Sequence, residues 1–226
     1  MQNNLPNKNL MINHYLQELH VLSSEIIRIF NEIESIVHSY KPGMEGVLSL
    51  PNIPDKYFFI QPEVFTRIAS IQVHSANIKK LLFPTPRKKG EAKYKSDYRL
   101  LRTDELQSYF DMNLISELKN VKARNCLEHY DERLDKISFE LWKGTIDKNY
   151  HIIASDVILS SDGALYGTPY YLNCYIIDSK IYKNAEKESD IGKLVTEANH
   201  IYAVTKNDLN ITTKTGTIIP IPQNLS

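Results

Sequence analysis

The sequence has little cysteine, no excess of charge of either sign and no long apolar run, and each absence removes a class of protein. Only Cys126 and Cys174 occur, in segments expected to be helical and extended, with neither a C-x-x-C pair nor metal-ligand spacing. A disulfide framework is therefore not indicated, and a reducing compartment is the simpler expectation. The 27 basic residues balance the 27 acidic ones, so no overall field draws the chain to nucleic acid or to anionic lipid.

Targeting and membrane signals are also missing from the sequence. The N-terminus lacks the charged and then apolar build of a signal peptide. Nowhere do about eighteen apolar residues, the length needed to cross a bilayer, run together. We therefore expect a cytoplasmic protein with no membrane partner.

Periodic apolar residues predict a helical N-terminal part. Between Ile12 and Tyr40 they recur every three or four positions, which predicts one long amphipathic helix that needs partner helices to cover it. Residues 42–60 contain three prolines and are predicted to form an irregular connection. A second helix is predicted from Pro62, and a short one from Thr103, whose hydroxyl can cap it.

The C-terminal part has a different character. β-branched and aromatic residues at 157–159, 171–177 and 181–182, separated by turn-forming residues, predict a small set of strands. Helical spacing then returns and predicts a last helix over about 189–204.

These patterns together predict a mainly α (α+β) fold. With 42% hydrophobic and 24% charged residues, the 226-residue chain can bury a core of ordinary size. The predicted division is a helical bundle over 8–144, a small α+β appendage with the strands over 150–206, and a loosely held tail over 207–226.

A helix predicted over 113–142 has an apolar face that changes sides part-way along. At about 100° per residue, Leu114, Leu118 and Val121 lie on one side. The later apolar residues, which lie roughly opposite, are Leu127, Tyr130, Leu134, Ile137 and Leu141. The first side continues as polar residues, among them Asn125 and His129. Such a polar seam suits a pocket, a subunit contact or a solvent-exposed helix end, and periodicity does not choose among them.

The residues of this seam resemble a known signature. Arg124-Asn125, followed after three residues by His129, is similar to the R-x(4 to 6)-H pattern of the HEPN superfamily of small helical bundles. The run 124–135 and the stretch 76–84 also look like sequence blocks of a group of uncharacterised bacterial proteins. A looser match to the pattern, Arg67 with His74, is interpreted as fortuitous.

The resemblance implies a metal-independent endoribonuclease, frequently a toxin or anti-phage effector, that works as a dimer with the motif helices facing each other. In this chain His129 would act as general acid or base, Arg124 would hold the phosphate, and Asn125 would orient one of them. Glu128, Glu132 and Arg133 would support these residues as same-face neighbours. No metal or cofactor is implied, and a cognate antitoxin is a possible protein partner.

One geometric difficulty points to a dimer. Arg124 and His129 are five residues apart, so on a straight helix they project about 140° from each other and do not face one phosphate. A two-fold dimer or a kink would bring such groups together. The same residue types at an exposed helix end need no function, so a non-catalytic scaffold or interaction protein that uses this face remains the alternative.

A second candidate region is basic rather than catalytic. The stretch 87–102 combines seven basic residues with two acidic ones and two tyrosines. Its cations could contact an RNA backbone while the tyrosines stack on bases, although a solvated charged loop has the same composition. The residues proposed for RNA contact are Arg87, Lys88, Lys89, Arg99 and Arg102.

Overall fold

The structure of the protein, a computed structural model, describes residues 8–51, 53–120, 130–145, 149–150, 152–185 and 187–209. In these residues the fold combines α-helices with a mixed β-sheet, which confirms the predicted α+β class. Within the described ranges, no helix combines the length and the apolar surface that crossing a bilayer requires.

The described helices are few and mostly long. They are α1 (Lys8–Ser39), α2 (Pro62–Leu82), α3 (Lys93–Gln107), α4 (Tyr130–Lys143) and α5 (Ile191–Leu209), with a short 3-10 turn at Met112–Leu114. The predicted helices at the N-terminus and from Pro62 are confirmed, and the last helix begins two residues later than the predicted 189. Helix α1 forms the centre of the helical layer because its apolar seam packs against both α2 and α5.

The strands form two sheets. They are β1 (Leu48–Leu50), β2 (Ile53–Phe59), β3 (Ile152–Ala154), β4 (Val157–Leu159), β5 (Pro169–Tyr171), β6 (Cys174–Ile176), β7 (Ile181–Asn184) and β8 (Lys187–Asp190). Six of them form a mixed sheet in the order β1-β2-β4-β6-β7-β8, and β3 pairs in parallel with β5. In the large sheet β4 pairs antiparallel with β2 and parallel with β6.

The central strands of the large sheet are covered on both faces. Ile158, Tyr175 and Tyr182 belong to the main core together with the helices. Their strand neighbours, including Val157 and Cys174, point to the other face and form a second apolar cluster. This alternation arises because successive side chains of a strand point to opposite faces of the sheet. Burial on both faces explains why the sequences of β4 and β6 are almost continuously apolar.

The helical part and the strand region predicted as an appendage share one core and one sheet. Helix α5 packs along α1, and Phe58 of β2 pairs with Leu159 of β4. Ile12, Ile78 and Ile201 therefore belong to one cluster of buried side chains. The predicted tail 207–226 lies outside the described residues from 210 onward.

Three local predictions were wrong. The connection 42–60 contains β1 and β2, because a strand pairing with residues about a hundred positions away supports them. Thr103 is not a helix start: it lies buried inside α3, which begins at Lys93. The helix predicted from 113 is replaced at its start by the 3-10 turn and by a turn at 116–119. There the backbone N–H groups of 116–118 donate to a glutamate of α5 instead of to helical carbonyls.

Candidate functional site

The predicted catalytic segment lies outside the described residues. Arg124, Asn125, Glu128 and His129 all fall in 121–129, so their predicted roles stay predictions. Of the predicted supporting residues, Glu132 and Arg133 lie in the first turn of α4. There the Arg133 guanidinium donates to the backbone carbonyl of Asn184, with 3.5 Å between the two atoms.

The chain that leads into this segment is held by one buried carboxylate. Glu197 of α5 is 2% exposed. Its Oε1 accepts the backbone N–H groups of Ser116 at 2.8 Å and Glu117 at 2.7 Å, together with the Ser116 hydroxyl at 3.2 Å. Its Oε2 accepts the N–H of Leu118 at 2.7 Å. Three consecutive amides therefore converge on one charged acceptor, which fixes this turn on α5.

The helix that follows the segment is attached to the strand region. Ile137 is buried against Tyr170 and Leu172, and half-buried Leu134 packs on the same cluster. The predicted apolar stripe of this helix is thus confirmed for Ile137, whereas Leu141 is half exposed. Helix α4 therefore contacts the strand region along one side.

The other side of α4 carries solvent-exposed aromatic side chains. Trp142 is 80% exposed and Phe139 is 53% exposed, and their ring centroids lie 6.0 Å apart. The Lys143 ammonium lies 4.5 Å from the centroid of the Phe139 ring. A pair of exposed rings on a helix is typical of a surface that contacts another molecule.

The basic stretch predicted to bind RNA is partly neutralised within the chain. The Arg99 guanidinium makes two contacts with the Glu91 carboxylate, one of them Nη2 to Oε2 at 2.8 Å. Arg87 donates to the backbone carbonyl of Glu91, whereas Arg102 donates to the carbonyl of Lys80 and lies over the Tyr15 ring. RNA binding by the predicted set stays a prediction. The two lysines of that set, at 88 and 89, are exposed.

A pocket of about 290 Å³ is lined in part by Glu117, Leu118 and Asn120, which come just before the predicted catalytic segment in the sequence. It is enclosed by α2, the proline-containing segment after α2, the turn at 117–120 and α5. Its apolar wall comes from Ala76, Phe83, Pro84, Pro86, Leu118 and Leu194. Its polar groups come from Ser75, Lys79, Lys80, Thr85, Glu117 and Asn120. Much of the stretch 76–84, singled out above as a sequence block, therefore lines this pocket.

Two polar side chains of the pocket have no partner in the described part of the chain. Ser75 is 3% exposed and its hydroxyl makes no hydrogen bond there. The half-buried ammonium of Lys79 makes neither a hydrogen bond nor an ion pair with described residues, and burial lowers the pKa of Lys79. A partly desolvated cation and a hydroxyl without a partner among the described residues, both lining one pocket, favour an anionic ligand.

The acidic group of the pocket is engaged elsewhere. Burial raises the pKa of the Glu117 carboxyl, the negative charges of Asp190 and Glu197 raise it further, and the Asp190 backbone N–H and Lys193 oppose the rise. The groups that act on the Glu117 carboxyl thus belong to β8 and α5, and Lys79 is not among them.

The sequence singled out the stretch 76–84 but gave it no role, because the other pocket residues, such as Leu118 and Leu194, come from segments far apart in the chain.

In the described ranges, no three His, Cys, Asp or Glu side chains converge in a way that would hold a metal ion. No protein-family model, no curated protein and no solved structure matches the chain.

Proposed function

We propose that the chain is a HEPN-like, metal-independent endoribonuclease of the toxin or anti-phage type, acting in the cytoplasm as a homodimer. The observation that carries the proposal is the place of the Arg-Asn-x-x-x-His segment in the sequence, between two elements that contact the rest of the fold. Before it, the turn at 116–118 is held by Glu197; after it, α4 is held through Ile137 and Arg133. Catalytic groups need such fixed supports, since small displacements cost much of the rate.

The chemistry of the proposal uses three residue types. His129 takes the proton from an RNA 2′-hydroxyl or gives one to the leaving 5′-oxygen. Arg124 stabilises the charge that builds on the phosphate, and Asn125 orients the histidine or the phosphate. A cognate antitoxin would act by covering this segment.

The dimer is supported by the exposed rings of α4. Phe139 and Trp142 lie ten and thirteen residues after His129 in the sequence. A second copy that contacts the segment would therefore also cover these rings. A symmetric contact of this kind buries the same patch on both copies.

RNA cleavage in EDTA tests the enzyme. Wild type and His129→Ala are incubated with a structured RNA, and His38→Ala serves as the matched control because His38 is an exposed histidine at the far end of α1. We expect cleavage by wild type and His38→Ala, with at least about a hundredfold loss in His129→Ala. Equal activity of all three proteins, or cleavage by none of them, would contradict the proposal.

The exposed rings of α4 also support a second candidate, a non-catalytic interaction protein. In that case the same surface binds another copy or a different protein, and the RNA stays intact. Light scattering separates the two candidates when it is read beside the cleavage assay. A dimer without cleavage favours the scaffold, and a dimer with His129-dependent cleavage favours the enzyme.

A further inference from the structure

The pocket between α2 and α5 has the composition of a small-molecule site. Its volume of about 290 Å³ lies just below the usual range of ligand pockets, about 300 to 1,000 Å³, so it suits a small ligand. Most of the surface exposed in it is apolar, although six of its twelve lining residues are polar, and sites that bind an organic ligand in one orientation combine both. Nothing in the proposed ribonuclease chemistry uses this pocket.

The polar groups of the pocket distinguish between classes of ligand. Lys79 offers an ammonium that pairs with no described residue, and Ser75 offers a hydroxyl that is 3% exposed and has no partner in the described chain. Lys80, the second lysine, is exposed at the rim and donates to Asn77 Oδ1 at 3.2 Å. One half-buried cation with one hydroxyl donor matches a monoanion, whereas a phosphate dianion needs more donors around its three oxygens.

The negative end of α2 does not oppose an anion here. The carbonyl of Lys79 accepts the backbone N–H of Phe83, and the carbonyl of Lys80 accepts the Arg102 guanidinium. The Leu82 carbonyl accepts the side-chain amide of Gln107 at 2.7 Å. Because these carbonyls are occupied, the partial negative charge at the helix C-terminus is largely compensated.

We infer that this pocket binds a small organic anion, an apolar molecule that carries one carboxylate. The carboxylate lies against Lys79 Nζ and Ser75 Oγ, which supplies each with a partner that the described residues do not provide. The apolar body of the ligand fills the space between Phe83, Leu118 and Leu194. Since Leu118 is one of the residues that Glu197 holds in place, an occupied pocket braces the turn that leads into the catalytic segment.

Binding of a simple probe tests the site in the intact protein. The probe is 3-phenylpropionate, and its neutral counterpart is 3-phenylpropanamide, which has the same apolar body. Titration followed by amide chemical shifts is expected to show saturable binding of the carboxylate in the millimolar range. The amide is expected to bind at least about tenfold more weakly, equivalent to about 1.4 kcal/mol.

Variants locate the binding. Lys79→Met removes the ammonium and keeps the apolar stem, and we expect it to weaken 3-phenylpropionate binding about tenfold. Ser75→Ala is expected to weaken it about threefold without loss of fold, because the hydroxyl has no partner among the described residues. Lys95→Met, an exposed lysine of α3 with the same change of net charge, is expected to leave the affinity unchanged.

Several results would overturn the inference. They are an absence of saturable binding, equal affinity for the carboxylate and the amide, equal effects of Lys79→Met and Lys95→Met, and displacement of the probe by equimolar inorganic phosphate. His129→Ala is expected to bind the probe like wild type, so failure of the ribonuclease proposal and failure of this site are separate outcomes.

Discussion

Glu197 and Leu118 are joined across 79 residues of sequence by a buried hydrogen bond in which the Leu118 backbone N–H donates to the carboxylate at 2.7 Å. The same carboxylate accepts the N–H groups of Ser116 and Glu117. This interaction replaces the helical hydrogen bonds that the sequence pattern predicts for these residues. It makes one glutamate of α5 responsible for the path of the chain before the catalytic segment.

We expect Glu197→Ala to lower the free energy of unfolding by about 2 to 4 kcal/mol, because it leaves three backbone donors without their charged acceptor. Glu197→Gln keeps one acceptor oxygen and should fall between Ala and wild type. Urea denaturation measures the changes, with the exposed Glu18→Ala as control. A loss in Glu197→Ala no larger than that in the control would show that the contact does not hold the turn.

The ion pair of Glu91 and Arg99 predicts a dependence of stability on acid. The Arg99 guanidinium, helped by the Lys88 backbone N–H, lowers the pKa of Glu91 from 4.5 to about 2. A carboxyl with a lowered folded-state pKa contributes stability that is present above its unfolded pKa and is lost as the pH falls toward about 2.

The difference in free energy of unfolding between wild type and Glu91→Gln should therefore be largest above pH 4.5 and shrink toward about pH 2. Urea titrations across this range measure it, with exposed Glu45→Gln as the matched control. A difference that stays constant with pH would exclude the ion pair as its source.

The long helices were predictable from sequence because their signal is local. Helix α1 repeats apolar residues over more than seven turns, and the run Val157–Leu159 is apolar throughout and begins with two β-branched residues. Strands β1 and β2 were missed because their support is remote: Phe58 pairs with Leu159, while prolines at 51 and 54 suggest a break. The first part of α3 was missed because, of that helix, only Thr103 and Leu106 are buried.

The pocket could not be predicted for a related reason. Lys79, Leu118 and Leu194 come together only when α2, the turn before the catalytic segment and α5 have packed. No sequence pattern at any one of these positions marks a ligand site. The apparent helical stripe through Leu114 and Leu118 was misleading, since Leu114 is 55% exposed and only Leu118 is buried.

The ammonium of Lys79, which pairs with no described residue, should cost the folded protein stability at neutral pH. Because burial lowers the pKa of Lys79, the folded state binds protons less tightly than the unfolded state, and the cost is greatest below the folded pKa. We expect Lys79→Met to raise the free energy of unfolding at neutral pH by about 0.5 kcal/mol. The gain should fade as the pH rises through the ordinary lysine value of 10.5.

Thermal and urea unfolding of Lys79→Met and Lys95→Met measure this effect. The exposed Lys95 should show little change at any pH. A stability loss in Lys79→Met would mean that the ammonium has a partner and that the pocket does not need an anion.

Helix α4 ends in a motif that requires glycine. Gly144 has φ +64, its N–H donates to the Leu141 carbonyl at 3.1 Å, and the Thr145 N–H donates to the Glu140 carbonyl at 2.9 Å. Gly144→Ala should destabilise the protein by about 1 kcal/mol, because a Cβ is disfavoured in the left-handed region.

Asparagine tolerates this conformation better, so Gly144→Asn should recover part of the loss. Circular dichroism with urea denaturation follows both variants, and Ser138→Ala on the exposed side of α4 is the control. Equal stabilities for Gly144→Ala and wild type would contradict the capping role.

The single tryptophan of the chain, Trp142, reports directly on the proposed dimer. In the isolated chain its side chain is 80% exposed, so its fluorescence should resemble that of tryptophan in water. If a second copy covers α4, the emission should shift to shorter wavelength as the protein concentration rises, in step with a doubling of the mass from light scattering. Dilution should reverse both changes together.

Phe139→Ala keeps the reporter and removes its aromatic neighbour, which stands 6.0 Å away. We expect it to weaken the dimer by at least about tenfold, since exposed aromatic pairs supply much of the energy of such contacts. Tyr166→Ala, at an aromatic residue that is 61% exposed outside α4, should leave the dimer unchanged. A monomeric mass with a constant emission at every concentration would contradict the homodimer of the ribonuclease proposal. That dimer is needed because Arg124 and His129 of one straight helix do not face the same phosphate.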